Sequence, residues 1–232
     1  MNGKVLHFHL AGINNQNFIM RDEETGSWWQ QVTGEAIQGP MKGDRLRSVE
    51  YDELTFGLWR RESPRGRVLK PEEAIDRAGK YAPADWEQRM AKARVTTSAT
   101  LDNALDARAL VVGVTVSSAS RAYPFEALLK QSPIIDELGR VPIMIVMADD
   151  HKSVRAFERT VDGRKLEFFM KPDVSPLRLI DAQTGSEWDF SGKAMMGPLT
   201  GKQLAKVAVL NDYWFDWKTY NPNTTLYRLG DR

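Results

Sequence analysis

Cysteine is absent from this 232-residue chain. With it go disulfides, thiolate metal ligands, a cysteine nucleophile and dithiol redox chemistry within the chain. Net charge is nearly absent too, since 32 Lys and Arg stand against 31 Asp and Glu. No global field draws in nucleic acid or an anionic membrane surface, so neither is expected as a partner. No apolar run approaches the ~20 residues that span a bilayer, and no membrane span is expected. The opening MNGKVLHFHLAG lacks the basic and apolar regions of a secretory signal. Histidine is scarce, three in all. A phosphate loop, a serine nucleophile elbow, a zinc-binding helix motif and a dinucleotide fingerprint are all missing.

What is present is apolar material for a core and a repeated pattern of turns. At 42% hydrophobic residues the chain can build one large domain or two small ones. The stretch ETGSWWQQVTGEAIQGP, from Glu24 to Pro40, returns as QTGSEWDFSGKAMMGP, from Gln183 to Pro198. Extending the alignment pairs Asp22 with Asp181, Trp29 with Trp188, Gly39 with Gly197, Trp59 with Trp217 and Pro64 with Pro222. Most shared residues punctuate backbone, which identifies the repeated object as a shape: glycine serves turns that need positive φ, and Gly-Pro ends strands. FIMRD, SWWQQV and EAIQG read as a three-stranded meander. ELTFGLWRRESP and NDYWFDWKTYNP read as short helices closed by proline, with Trp59 and Trp217 as equivalent core anchors.

The second copy has a lead-in that the first lacks. ALVVGVTVSSASRAYPF predicts a hairpin turning near Ser117 and Ser118, PFEALLKQ a helical turn or two, and VPIMIVMA a buried strand. RAFERTVDGRKLEFF predicts a hairpin with a type I′ turn at Asp162 and Gly163. The expected class is β-rich α+β: two related meander-plus-helix units with pseudo-twofold symmetry. The first, shortened at its start, covers residues 1–70, a helical linker covers 71–108, and the fuller unit covers 109–232. Within the linker, helical period runs from about Pro83 to Arg94.

The wording VVGVTVSSASRAYP, VDGRKLEF, HFHLAGINNQNFIMRDEETGSWWQQVTGEAIQGP and DYWFDWKTYNPNT resembles the domain of unknown function 3179 family. The resemblance implies an exported, periplasmic or extracellular protein. In that family a short cysteine motif, sometimes with selenocysteine, follows the strand equivalent to VPIMIVM and implies thiol or selenol redox chemistry. Here Ala148 and His151 stand at the two cysteine positions, so that chemistry does not carry over.

Candidate site residues concentrate in the first half. His7 and His9, two apart on a strand, point to one face and have a spacing that chelates metal; with His151 they form the candidate site for a divalent metal. Asn14 to Asn17 is an amide run that either binds a polar ligand or closes a turn on its own backbone. Trp28 has Glu187 as its counterpart, so it is expected to face outward, with Gln30 beside it. Asp22, Glu23, Glu24 and Glu35 offer carboxylates for acid–base work, although a carboxylate capping turn amides explains Asp22 equally well. The arginines of RRESPRGR form either a local anion site or a solvated corner.

The leading expectation is a non-catalytic extracytoplasmic binding or assembly module. It would meet a small polar ligand or another protein chain through His9, Asn15, Asn17, Trp28 and Gln30. One alternative is a metal-binding protein or metal-dependent enzyme built on His7, His9 and His151. The other is a scaffold subunit in which a partner chain supplies a strand to the KVLHFHL edge.

Overall fold

The structure, a computed structural model, describes residues 3, 5–14, 17–79, 81–97, 100 and 102–230. Strands β1 (Phe8–Asn14), β2 (Asn17–Asp22), β3 (Trp28–Gln30) and β4 (Ala36–Gln38) form one antiparallel meander in chain order. It has four strands rather than the three expected. HFH joins because Phe8 lies directly opposite Asp22 and sets its ring edge-on to Trp29 at 5.9 Å. The helix expected next is α1 (Phe56–Glu62), whose N-cap Thr55 accepts the Leu58 amide. The linker holds α3 (Trp86–Lys92), inside the expected span, preceded by an unanticipated short helix α2 (Glu73–Arg77). Neither buries a residue, so tertiary packing gives α2 no amphipathic signal to display.

The second half opens with β5 (Leu110–Val116) and β6 (Ala119–Pro124), turning at Ser117 with φ +56° as expected. After α4 (Phe125–Lys130) come β7 (Ile134–Leu138), β8 (Val141–Met147) and β9 (Val154–Glu158). The predicted hairpin is β10 (Thr160–Val161) and β11 (Arg164–Lys165) around Asp162 and Gly163, both at positive φ. A second meander follows in β12 (Phe168–Met170), β13 (Arg178–Asp181), β14 (Glu187–Asp189) and β15 (Ala194–Met196). The chain ends with β16 (Lys206–Val207), β17 (Val209–Tyr213), α5 (Trp214–Tyr220) and β18 (Thr225–Leu226). The last strands complete two sheets, β16-β9-β8-β7 and β17-β5-β6-β18. The result is a β-rich α+β fold.

Why VPIMIVM is apolar without alternation is now plain: β8 is buried on both faces. Ile143, Ile145 and Met147 face the β5–β6 sheet and α4, while Met144 and Val146 meet Phe168, Leu179 and Trp188 of the second meander. The second meander is therefore covered by β8, β9 and Leu58 of α1, and the first meander plays no part in that core. Trp217 is a core anchor, lying where only a glycine, Gly113, lets its ring approach β5. Trp59 is not. It is half-buried and stacks on exposed Phe56 at 5.6 Å, because no β5-like strand receives it among the described residues.

Polar ties join the first meander and the α1 segment to the rest. Arg155 on β9, almost fully buried, binds Glu62 through two hydrogen bonds of 2.8 and 2.7 Å and Asp52 through one of 2.7 Å. The hydroxyl of Thr55 donates to Asp150 at 2.6 Å. The amide of Asn17 donates to Asp216 of α5 at 2.5 Å.

Candidate functional site

The carboxylate that begins each repeated motif is structural. Asp22 accepts the Thr25 amide (2.5 Å), the Thr25 hydroxyl (2.9 Å), the Ser27 amide (3.1 Å) and the Trp29 indole N–H (2.8 Å). Asp181 does the same for Thr184 and Trp188, at 2.6, 2.9 and 3.0 Å. Burial raises the pKa of Asp22, but these donors outweigh it and hold the carboxyl below its ordinary range. Gly39 and Gly197 close each motif at positive φ, where a Cβ would stand 2.7 Å from the Cα of Ser27 or Ser186. The shared residues build one turn twice. Glu35 pairs with Arg45 and Glu24 with His7, so the acidic residues of the first repeat form no shared acid–base pair among the described contacts.

The register of β1 to β3 sets His9, Asn17, Trp28 and Gln30 on one face of the first meander, since His9 opposes Arg21, Arg21 opposes Trp28 and Ile19 opposes Gln30. Asn15 lies outside the described residues. Only part of this face is open. His9 is exposed and Trp28 half-buried, whereas Gln30 is 3% exposed and Asn17 is bound to Asp216. Gln30 therefore belongs to the interior rather than to a surface beside Trp28, and both polar atoms of its side-chain amide lack a hydrogen-bond partner among the described residues.

Asn17 leads to a carboxylate pair that sequence reading missed. Asp212 near the end of β17 lies beside Asp216 in the first turn of α5. Burial raises the pKa of Asp212 first, the neighbouring charge of Asp216 second and that of Glu53 further, which favours its protonated form. Burial raises Asp216 as well, against the hydrogen bond from Asn17 and the nearby charge of Arg108. The signal was available in NDYWFDW as two acids four apart, but the aromatic residues around them dominate that reading.

The three histidines do not converge. His7 hydrogen-bonds Glu24 at 2.5 Å, His9 lies 4.0 Å from Glu23, and His151 sits at φ +53° in the exposed turn after β8. Among the described residues no three His, Cys, Asp or Glu side chains are grouped as a metal needs.

The segment after β8 is instead a brace. Ala148 is buried in the core, and Asp149 accepts the Leu177 amide at 2.8 Å. Asp150 accepts from Thr55, from the Ser153 amide and hydroxyl and from the Lys152 amide. Burial raises its pKa, but these donors overcome that and lower it to about 2. Beside the brace, a cleft of ≈ 270 Å³ opens between α1 and the second meander, floored by Leu58, Leu177 and Phe190 and bordered by Arg61 and Arg178. Arg61 belongs to the arginine-rich stretch read from sequence; nothing local in the sequence pointed to Arg178.

No curated protein and no solved structure matches this chain. A family model described as "Protein of unknown function (DUF3179)" matches residues 1–224. A match over nearly the whole chain joins the glycine-and-tryptophan turns, the buried strand and the C-terminal aromatic helix in one family pattern, and on that ground the chain belongs to the DUF3179 family.

Proposed function

We propose that the protein is a non-catalytic assembly module of the extracytoplasmic space that self-associates through the first meander. One observation carries this reading: equivalent faces of the two meanders are treated differently. Phe168, Leu179 and Trp188 of the second are buried under β8 and β9, with Phe168 2% exposed. On the same face of the first meander Trp29 is as buried as its counterpart Trp188, but towards the β1–β2 end Phe8 is 37%, Leu10 61% and Ile13 69% exposed, and Phe18 opposite Ile13 is open as well. A register shift between Leu10 and Gly12 keeps Leu10 and Ile13 on one side and so prolongs the apolar stripe. Leaving such a stripe wet is unfavourable, and sheet-on-sheet packing at about 10 Å covers it when a second copy presents the same face.

The brace after β8 supports the non-catalytic part, because its carboxylates are engaged in holding backbone and Thr55. The extracytoplasmic part rests on family resemblance. A polar ligand on the opposite face would meet His9 and Trp28, since Asn17 is engaged and Gln30 is buried.

Light scattering across roughly 1 to 200 µM protein tests the association. The expected result is a dimer that Leu10→Lys and Ile13→Lys turn into a monomer with unchanged far-ultraviolet circular dichroism. A wild-type chain that stays monomeric at the top concentration removes the proposal.

A further inference from the structure

We infer that the outer side of α1 and the loop after it, residues 56–69, dock the protein on an anionic phospholipid surface. The inference is independent of self-association, since it uses no residue of the first meander.

The inner side of α1 is fixed by Leu58 in the core and by Glu62 on Arg155. Helical period then turns Phe56 and Arg60, four apart, to the outer side, and Phe56 is 61% exposed. Trp59 stacks on Phe56, and Gly66 approaches the Trp59 ring so closely that a Cβ there would stand 2.4 Å from it. That contact folds the loop back onto the helix, so the chain positions on either side of Gly66, Arg65 and Arg67, belong to the same patch as Phe56, Trp59 and Arg60. Val68 and Leu69 follow at 66% and 95% exposure, and Leu69 is the most exposed large apolar residue among those described.

The patch holds charge that nothing offsets. Arg60, Arg65 and Arg67 are exposed and form no ion pair or side-chain hydrogen bond among the described residues. Glu62, the single acid between Leu54 and Pro71, is taken by Arg155. Arg61 is not counted, because it borders the cleft that Asp149 and Asp189 also line, and Lys70 is paired with Glu73. A net charge near zero removes the long-range field, but within a Debye length of about 8–10 Å the local surplus acts alone. An acidic peptide would satisfy the arginines and leave Phe56, Val68 and Leu69 in water. A bilayer offers phosphates at its surface and hydrocarbon just beneath, and arginine stems span that boundary with their heads among the phosphates.

Sedimentation of the full chain with vesicles of phosphatidylcholine containing about 30% phosphatidylglycerol tests the docking, with pure phosphatidylcholine vesicles as the comparison. Half of the protein is expected to sediment at on the order of 1 mM accessible lipid in about 20 mM salt, and the affinity should fall at least about tenfold in about 300 mM salt. Arg60→Gln/Arg65→Gln/Arg67→Gln should weaken binding about a hundredfold, and Leu69→Ser about fivefold, both with unchanged far-ultraviolet circular dichroism. Arg140 and Arg164 are exposed cations at the end of β8 away from Asp150, and Arg140→Gln/Arg164→Gln should leave binding within about twofold. Equal binding to pure phosphatidylcholine, an unaffected triple variant, or a loss at Arg140 and Arg164 as large per charge overturns the assignment. Absence of sedimentation at about 10 mM lipid does the same. Polyglutamate that, at equal anionic charge, binds as tightly as the vesicles and is indifferent to Leu69→Ser gives the patch to an acidic chain and overturns the lipid surface.

Discussion

Asp212 and Asp216 put two carboxyl groups where neither can be freely hydrated. The Asn17 amide serves both oxygens of Asp216, which favours that group as the charged partner, while Asp212 has burial, Asp216 and Glu53 against its ionisation. The consequence for stability has a definite sign. Above the ordinary aspartate value of 3.8 the unfolded chain releases protons that the folded chain keeps. Stability from this pair is therefore fully present at low pH and is lost as pH rises toward the raised folded value. Melting temperature, corrected for the rest of the chain by comparison with Asp212→Asn, is expected to fall between about pH 4 and pH 8 in the wild type. The variant should show a flatter profile and gain relative stability at the alkaline end, since its amide donates permanently where the acid needs a proton. Parallel profiles for the two proteins would show that the fold does not hold Asp212 protonated.

Strands and helices are governed by punctuation, and their neighbours decide what they bury. In α5, Trp217 donates to Thr224 at 2.8 Å and lies against Gly113 of β5, where an added Cβ would overlap the indole ring. Gly113→Ala is expected to cost about 3 kcal/mol, a drop of roughly 6–12 °C in melting temperature for a chain of this size. Gly57 in α1 is the contrasting case, with open space around it and an ordinary helical backbone, so Gly57→Ala should be neutral or stabilising by up to about 1 kcal/mol. Calorimetry on both variants tests the pair, and equal effects would contradict the packing argument. The same contrast marks what the sequence revealed. Hairpins at Ser117 and Asp162, the buried β8 and both aromatic helices were legible because Gly, Pro and apolar period act locally. The burial of Trp217 but not Trp59 was not, because it depends on a strand far away in the chain. The candidate site was less legible still: His9 and Trp28 were placed correctly on one face, whereas the burial of Gln30 and the bond from Asn17 to Asp216 require knowing that α5 comes to β2.

Beside the packing of Leu58 into the second meander's core, the attachment of the first meander and α1 to the remainder uses a few directional ties, of which that of Arg155 is the most buried. Its guanidinium meets Glu62, Asp52 and the Phe190 ring and carbonyl, and Lys206 shares Asp52 at 2.7 Å. Burial opposes its charge, but Glu62 and Asp52 more than compensate and raise its pKa, so it stays charged across the accessible pH range. Removing it does not strand a fully buried anion, because Glu62 and Asp52 keep access to water and Asp52 keeps Lys206. Arg155→Met should therefore cost about 2–3 kcal/mol, below the 3–5 kcal/mol of breaking a sealed ion pair. The loss should be unevenly distributed. Amide exchange is expected to quicken most at Trp59 and Ser63, whose N–H groups close the turns of α1, and least in the β5–β6 hairpin, where Val112 and Tyr123 are fully buried. Adding Glu62→Gln to Arg155→Met should restore part of the stability, since the partly buried acid left behind no longer carries an unmatched charge. Uniform acceleration of exchange throughout the chain would mean that the two halves unfold as one cooperative unit and that Arg155 does not act as a hinge pin between them.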